Sequence, residues 1–202
     1  MRFTIWLGMP EYRVILQEMR HVLLRWMDET KDLGLIPEPE CEELGKRYGS
    51  KYAILSQMEN RDLISQIVKT IEASEKGDMN TLHKALDHSQ ASVRYWAAVW
   101  LGNIGEKSDI EILKKKVNDP SGMVRVGIAE ALCKLGNINL GRDILVRELE
   151  HMNHAVQLYA IHALEGLGNE VQPVLSSIRK AKDGQYEYVC RVANRILINN
   201  NH

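Results

Sequence analysis

Apolar positions recur along this chain at helical spacing, and from residue 78 onward the whole pattern repeats. Ser92–Gly105 reads SVRYWAAVWLGNIG, and Met123–Gly136, 31 residues on, reads MVRVGIAEALCKLG. A third copy, AVQLYAIHALEGLG at Ala155–Gly168, follows after 32 residues, and a weaker fourth, YVCRVANRILINNN at 188–201, after 33. Corresponding positions keep their character: Val93, Val124, Val156 and Val189, then Leu101, Leu132, Leu164 and Leu197. The intervening small or apolar pair recurs as Ala97-Ala98, Ile128-Ala129, Ala160-Ile161 and Ala193-Asn194. A period of this length predicts stacked helix pairs, each unable to bury its apolar face without a neighbour.

Each repeat reads as a first helix, a tight turn and a second helix. The pairs Leu82/Leu86, Leu113/Val117 and Leu145/Leu149 lie at i, i+4 and place an apolar stripe on the first helices. Ser89, Asp119 and Asn153 stand where the second helix needs an N-cap, and Pro120 falls at a first turn. Gly105, Gly136 and Gly168 offer the left-handed stop. Ahead of the repeats, residues 60–77 form a lone amphipathic helix with Asn60 as cap, Leu63, Ile64, Ile67, Val68 and Ile71 as one face, and Gly77 as stop. Residues 10–31 form another: Pro10 opens it, Ile15, Met19, Val22, Leu23 and Trp26 line one face, and Gly34 closes it. A turn and a short acidic helix near 39–47 lie between the two.

The expected fold is therefore all-α: an α-solenoid of about four helix pairs behind an N-terminal helical segment. Residues 1–59 make that segment. Residues 60–202 make the solenoid, with 60–77 as capping helix and repeats at 78–108, 109–139, 140–170 and 171–202.

The run D-P-x-x-x-V-R at Asp119–Arg125 resembles the turn of HEAT repeats, and the resemblance covers residues 78–202. It implies an acid and an Arg that bridge neighbouring repeats. Only the second repeat keeps both at that spacing. The first has Arg94 with Asp87 one residue out of line, the third has His151 and Gln157, and the fourth has Gly184 and Cys190. An incomplete ladder is expected.

A second resemblance covers residues 7–40. Leu7, Pro10, Glu11, Tyr12, Trp26, Met27, Glu29, Thr30, Asp32, Leu33, Gly34, Leu35, Pro37 and Glu38 resemble the segment that closes the catalytic domain of bacterial sulfatases. Some of those enzymes carry a HEAT-type tail that begins with a helix similar to Ser92–Ala98. The resemblance implies a parent that hydrolyses sulfuric esters with calcium and a formylglycine, the latter made from the Cys or Ser of a C/S-x-P-x-R motif. The residues two before the prolines are Gly8, Leu35, Pro37, Asn118 and Val171, so this chain holds no such motif. No catalytic, cofactor or metal residue carries over, and the chain is expected not to be an enzyme. It reads as the tail of a longer sulfatase or a remnant of one, with a free-standing HEAT scaffold as the alternative.

Charge alters the picture by exclusion. Net charge is −1, with 11 Lys+Arg against 13 Asp+Glu in residues 1–77 and 15 against 14 in the remainder. Neither part is a basic surface for nucleic acid or anionic membrane. No apolar run spans a bilayer, and the opening MRFTIWLGMP lacks the h-region of a signal peptide. Localisation stays open: the sulfatase resemblance implies a family that is often exported, and the chain is compatible with cytoplasm. The three cysteines, Cys41, Cys133 and Cys190, form no CxxC pair and read as buried free thiols.

Candidate chemistry is sparse. His151 and His154 lie at i, i+3 without further ligands at a characteristic spacing, which favours a solvated turn over a metal site. Tyr95, Trp96 and Trp100 form an aromatic group opposite Gly127 and Ala131 in the next second helix. Inter-repeat packing is the first reading for it, with Trp96 the more exposed indole, and a docking surface is the second. Val99, Glu130, His162 and Arg195 share one register position and should line the concave face, where solenoids bind partners. The candidate partner surface is thus Tyr95, Trp96, Val99, Glu130, His162 and Arg195. Its expected partner is a protein surface, an upstream sulfatase domain among the candidates.

Overall fold

The structure, a computed structural model, describes residues 10–200. Leu7 of the sulfatase-like segment and most of the opening MRFTIWLGMP lie outside the described residues. Three helices precede the repeats: α1 (Pro10–Glu29), α2 (Glu38–Tyr48) and α3 (Leu63–Glu75). The repeats then follow as α4 (Met79–Ala85) with α5 (Ala91–Ile104), α6 (Ile110–Lys114) with α7 (Gly122–Lys134), α8 (Ile138–Glu148) with α9 (His154–Gly166), and α10 (Leu175–Lys182) with α11 (Glu187–Asn199). Among the described residues there is no strand, and no helix is long and apolar enough to cross a membrane. The protein is an all-α helical-repeat solenoid.

The second helices stack in a row, α3 on α5, α5 on α7, α7 on α9 and α9 on α11, while the first helices pack against them on one side. The repeated positions explain why. Val93, Val124, Val156 and Val189 are buried, and so are Leu101, Leu132, Leu164 and Leu197. Leu82, Leu113 and Leu145 from the first helices are fully enclosed against them. Each buried Leu of this kind stabilises by roughly 1.5–3 kcal/mol. The row is tightest between α5 and α7. A Cβ on Gly102 would stand 2.7 Å from the Ala131 Cα, so only glycine allows this approach.

Local details depart from expectation in ways that have causes. The N-cap of α5 is Gln90 rather than Ser89: it stands three residues before Val93, as Ser121 and Asn153 stand before Val124 and Val156, and Ser89 gives its carbonyl to the Arg94 guanidinium. The cap of α7 is Ser121, whose hydroxyl accepts the Val124 N–H, so Pro120 lies outside the helix. Asp119 accepts the Ser121 N–H instead and faces the preceding repeat. Asn153 caps α9 as expected. Asn60 does not cap α3; Asp62 takes that place, and buried Asn60 donates to the Ile54 carbonyl at 3.1 Å.

The stops differ as well. Gly77, Gly136 and Gly168 have positive φ, but Gly105 is extended at φ −74°. Gly105 is confined by crowding: its Cβ would fall 2.3 Å from the Leu101 carbonyl oxygen. Helix α1 ends before Gly34 is reached, because Lys31 itself adopts φ +54°. Cys41 and Cys133 are buried, whereas Cys190 is half-buried with its thiol towards the Gly184 carbonyl.

Candidate functional site

The N-terminal segment crosses the row of second helices. Pro37 and Pro39 open α2, where their fixed φ suits a first turn, and Glu38 and Glu40 stand at its positive end. Leu35, Ile36, Pro37 and Pro39 are buried, so the approach to α2 lies against the solenoid. The Trp96 indole N–H donates to the Leu35 carbonyl at 2.7 Å. The Ser121 hydroxyl donates to the Glu40 carboxylate, and α2 touches α9. Burial pushes the Glu40 carboxyl up, with the Ser121 hydroxyl working against that shift. A cleft of about 470 Å³ remains beside this segment, with Leu35, Pro37, Glu38, Tyr95, Trp96 and Tyr159 in its walls.

The aromatic group divides its tasks differently from expectation. Gly127 makes room for Tyr95, whose ring would lie 3.1 Å from an added Cβ, and not for Trp96. Burial, with Glu130 nearby, pushes the Tyr95 hydroxyl well above the ordinary range. Trp96 turns to the N-terminal segment, half-buried and edge-on to Tyr95 with ring centroids 5.7 Å apart. Trp100 is half-buried against the core, and its indole N–H has no hydrogen-bond partner among the described residues.

The four residues of the shared register position differ in how far they are exposed. Val99 and Glu130 are half-buried, and His162 and Arg195 are exposed. Arg195 forks onto Glu165, its Nη2 at 2.7 Å, and the His162 Nδ1 stands 3.5 Å from the same carboxylate. The Arg195 guanidinium beside it holds the Glu165 carboxyl below its usual value. Burial pushes Glu130 the other way, and Lys134 one turn on opposes that shift. Glu130 also borders a cleft of about 290 Å³ between α7, α8 and α9 whose wall includes Cys133, a thiol raised by burial to about 11.

The expected acid–Arg ladder is present in a form the spacing did not give. Arg94 forks onto Asp119 of the following repeat at 2.7 and 2.8 Å. Arg125 does the same to Glu148, at 2.7 Å for both bonds, and passes over the turn position that holds His151. Asp87, the acid nearest Arg94 in sequence, instead pairs with Lys116. A signal was available, since Arg94 and Asp119 are both consistent with a partner one repeat away.

The two histidines of the third turn serve separate contacts. His151 Nδ1 accepts the Asn153 N–H, and His154 stacks on Tyr186 at 4.8 Å. Among the described residues no group of three or more His, Cys, Asp or Glu is placed to hold a metal ion.

Stacked helix pairs with a side-chain ladder in their turns define a helical-repeat protein of the kind that mediates protein–protein interaction. The family description that matches is the PBS lyase HEAT-like repeat, over residues 93–119. That stretch runs from the start of α5 to the Asp119 turn and so includes the first rung. No curated protein matches the chain.

Proposed function

We propose that this chain is a non-catalytic HEAT-type interaction domain that binds polypeptide on the face of its second helices. One observation carries the reading: that face already holds the segment leading into α2, gripped by the Trp96 N–H on the main-chain carbonyl of Leu35 at the end of a short 3-10 turn. Contacts of that kind accept many sequences, and flanking side chains then select among them. The open remainder, Val99, Glu130, His162 and Arg195, offers a mixed apolar and charged surface to a partner. The test is to pan displayed peptides against the protein and re-measure the binders on Glu130→Lys/Arg195→Glu. Binders should be lost on that variant and kept on Lys180→Glu, which alters a first helix. Equal binding to all three proteins would place the site elsewhere.

The finer reading is that the domain is the C-terminal accessory part of a sulfatase-type sulfuric ester hydrolase. It rests on the likeness of residues 7–40 and Ser92–Ala98 to those enzymes, and on the lack of a C/S-x-P-x-R nucleophile motif here. On this reading the purified chain hydrolyses no aryl sulfate, with or without calcium, yet binds a separately expressed sulfatase catalytic domain. Turnover above blank would overturn the non-catalytic assignment. Failure to bind any such domain would leave the free-standing scaffold.

A further inference from the structure

Among the described residues, helix α1 meets the rest of the protein through one face. Leu24 is buried there, Asp28 accepts the Ser65 hydroxyl at 2.6 Å, and His21 stands 3.9 Å from Glu72. At 100° per residue, Ile15, Met19, Val22 and Trp26 lie on the opposite side. They are 51%, 66%, 64% and 53% exposed. A stripe this long and this open is unusual on a helix that has finished packing.

Its spacing of four, three and four residues is that of a coiled-coil seam, and what flanks the seam selects the occupant. We propose that α1 pairs antiparallel with α1 of a second copy of this chain. In that register Met19 lies across from Val22 of the second copy and Ile15 across from its Trp26, so large side chains meet smaller ones. On one flank Glu18 falls beside Arg25 of the second copy, and Arg25 beside its Glu18. On the other, Leu16 meets Leu23, and the Leu23 side chain is otherwise 53% exposed. A parallel pair forfeits all of this. Trp26 would be forced onto Trp26, Glu18 would face Leu23 and Arg25 would face Thr30. The antiparallel pair is isologous and closes on itself, so it yields a dimer and not a filament. A single helix pair buries less than the roughly 800 Å² per partner of a standard interface, so the dimer should respond to concentration.

Sedimentation velocity on the full chain, over about 1–100 µM, tests this. The expected result is a monomer–dimer equilibrium that Met19→Glu/Val22→Glu abolishes without loss of helical signal, since both positions are exposed. Glu18→Arg sets Arg against Arg and should weaken the dimer about tenfold. Glu18→Arg/Arg25→Glu should restore it. A monomer at every concentration, whether residues 1–9 or an unrelated protein takes the stripe, overturns the proposal. So does a dimer that Met19→Glu/Val22→Glu leaves intact, or a charge swap that fails to rescue. None of these readouts depends on peptide binding at the second helices.

Discussion

In the first two repeats the residue after the conserved Val is Arg94 or Arg125; in the last two it is Gln157 or Cys190. All four do one thing in common. Each reaches back six residues to the carbonyl of its own turn: Arg94 to His88 at 2.8 Å, Arg125 to Asp119 at 2.7 Å, Gln157 to His151 at 2.6 Å and Cys190 to Gly184 at 3.4 Å. A thiol is then spent and an amide keeps a single N–H, whereas a guanidinium has several donors left in a fixed fork that matches a carboxylate. The spare donors cross to Asp119 and Glu148, which are 8% and 2% exposed. The later repeats are tied by surface pairs instead, Lys180 to Glu150 and Arg195 to Glu165. Turn closure is thus the shared role of the position, and coupling between repeats is added only where the side chain is Arg.

That division predicts very unequal mutational costs. Arg125→Ala should destabilise by about 3 kcal/mol or somewhat more, because it strands the buried Glu148 carboxylate. Arg147, whose Nε lies 3.3 Å from Glu148, keeps the loss from being larger. Gln157→Ala removes one hydrogen bond to a turn and should cost about 1 kcal/mol. Urea unfolding of the two variants measures both. Equal losses would show that turn closure, not the fork, carries the energy.

Packing between second helices gives the next contrast. Gly127→Leu in α7 must displace Tyr95 and should cost about 1–3 kcal/mol. Gly166→Ala at the end of α9 meets nothing within 4 Å and should be neutral or gain up to about 1 kcal/mol from helix propensity. A destabilising Gly166→Ala would mean that the later repeats are packed as tightly as the earlier ones.

The repeat, its period and its buried Val and Leu positions were legible in the sequence, because burial against both neighbours fixes those positions in every copy. The capping helix was legible for the same reason; α1 was legible as a helix from its apolar stripe, but the stripe is exposed and the face that packs carries Leu24 instead. The path of residues 33–48 was not. Its anchor is an indole N–H on a main-chain carbonyl, and every residue has a carbonyl, so no pattern marks the recipient. The ladder was half legible: both arginines stood out, but their acids belong to the following repeat, one in its turn and one in its first helix. The task of Trp96 was misassigned towards Gly127, since register alone cannot say which of two adjacent aromatics turns to the next helix. Trp96→Phe measures what was missed. It should cost about 1 kcal/mol and raise amide exchange in residues 33–48 while leaving α9 to α11 unchanged.

The smallest effects come from two carboxylates on the open face, and their signs should be opposite. Burial raises Glu130 above its ordinary value, so between that value and the folded one the native state holds a proton that the unfolded chain has lost. Stability contributed at this site therefore falls as pH rises through that window, and Glu130→Gln should melt higher than the parent at pH 7. Glu165 is the reverse case. The Arg195 fork lowers it, so its contribution is present above the ordinary Glu value and is lost as pH falls through the folded one. Glu165→Gln should melt lower at pH 7, by up to about 0.5 kcal/mol for so exposed a pair, a shift of about 1–2 °C. Both differences should shrink towards pH 4, where the parent carboxyls are increasingly protonated. Melting curves at pH 7 and pH 4 decide it. A Glu130→Gln variant that melts lower than the parent at pH 7 would mean the carboxylate has found a cation, and the open face would then be paired along its length like the forked repeats behind it.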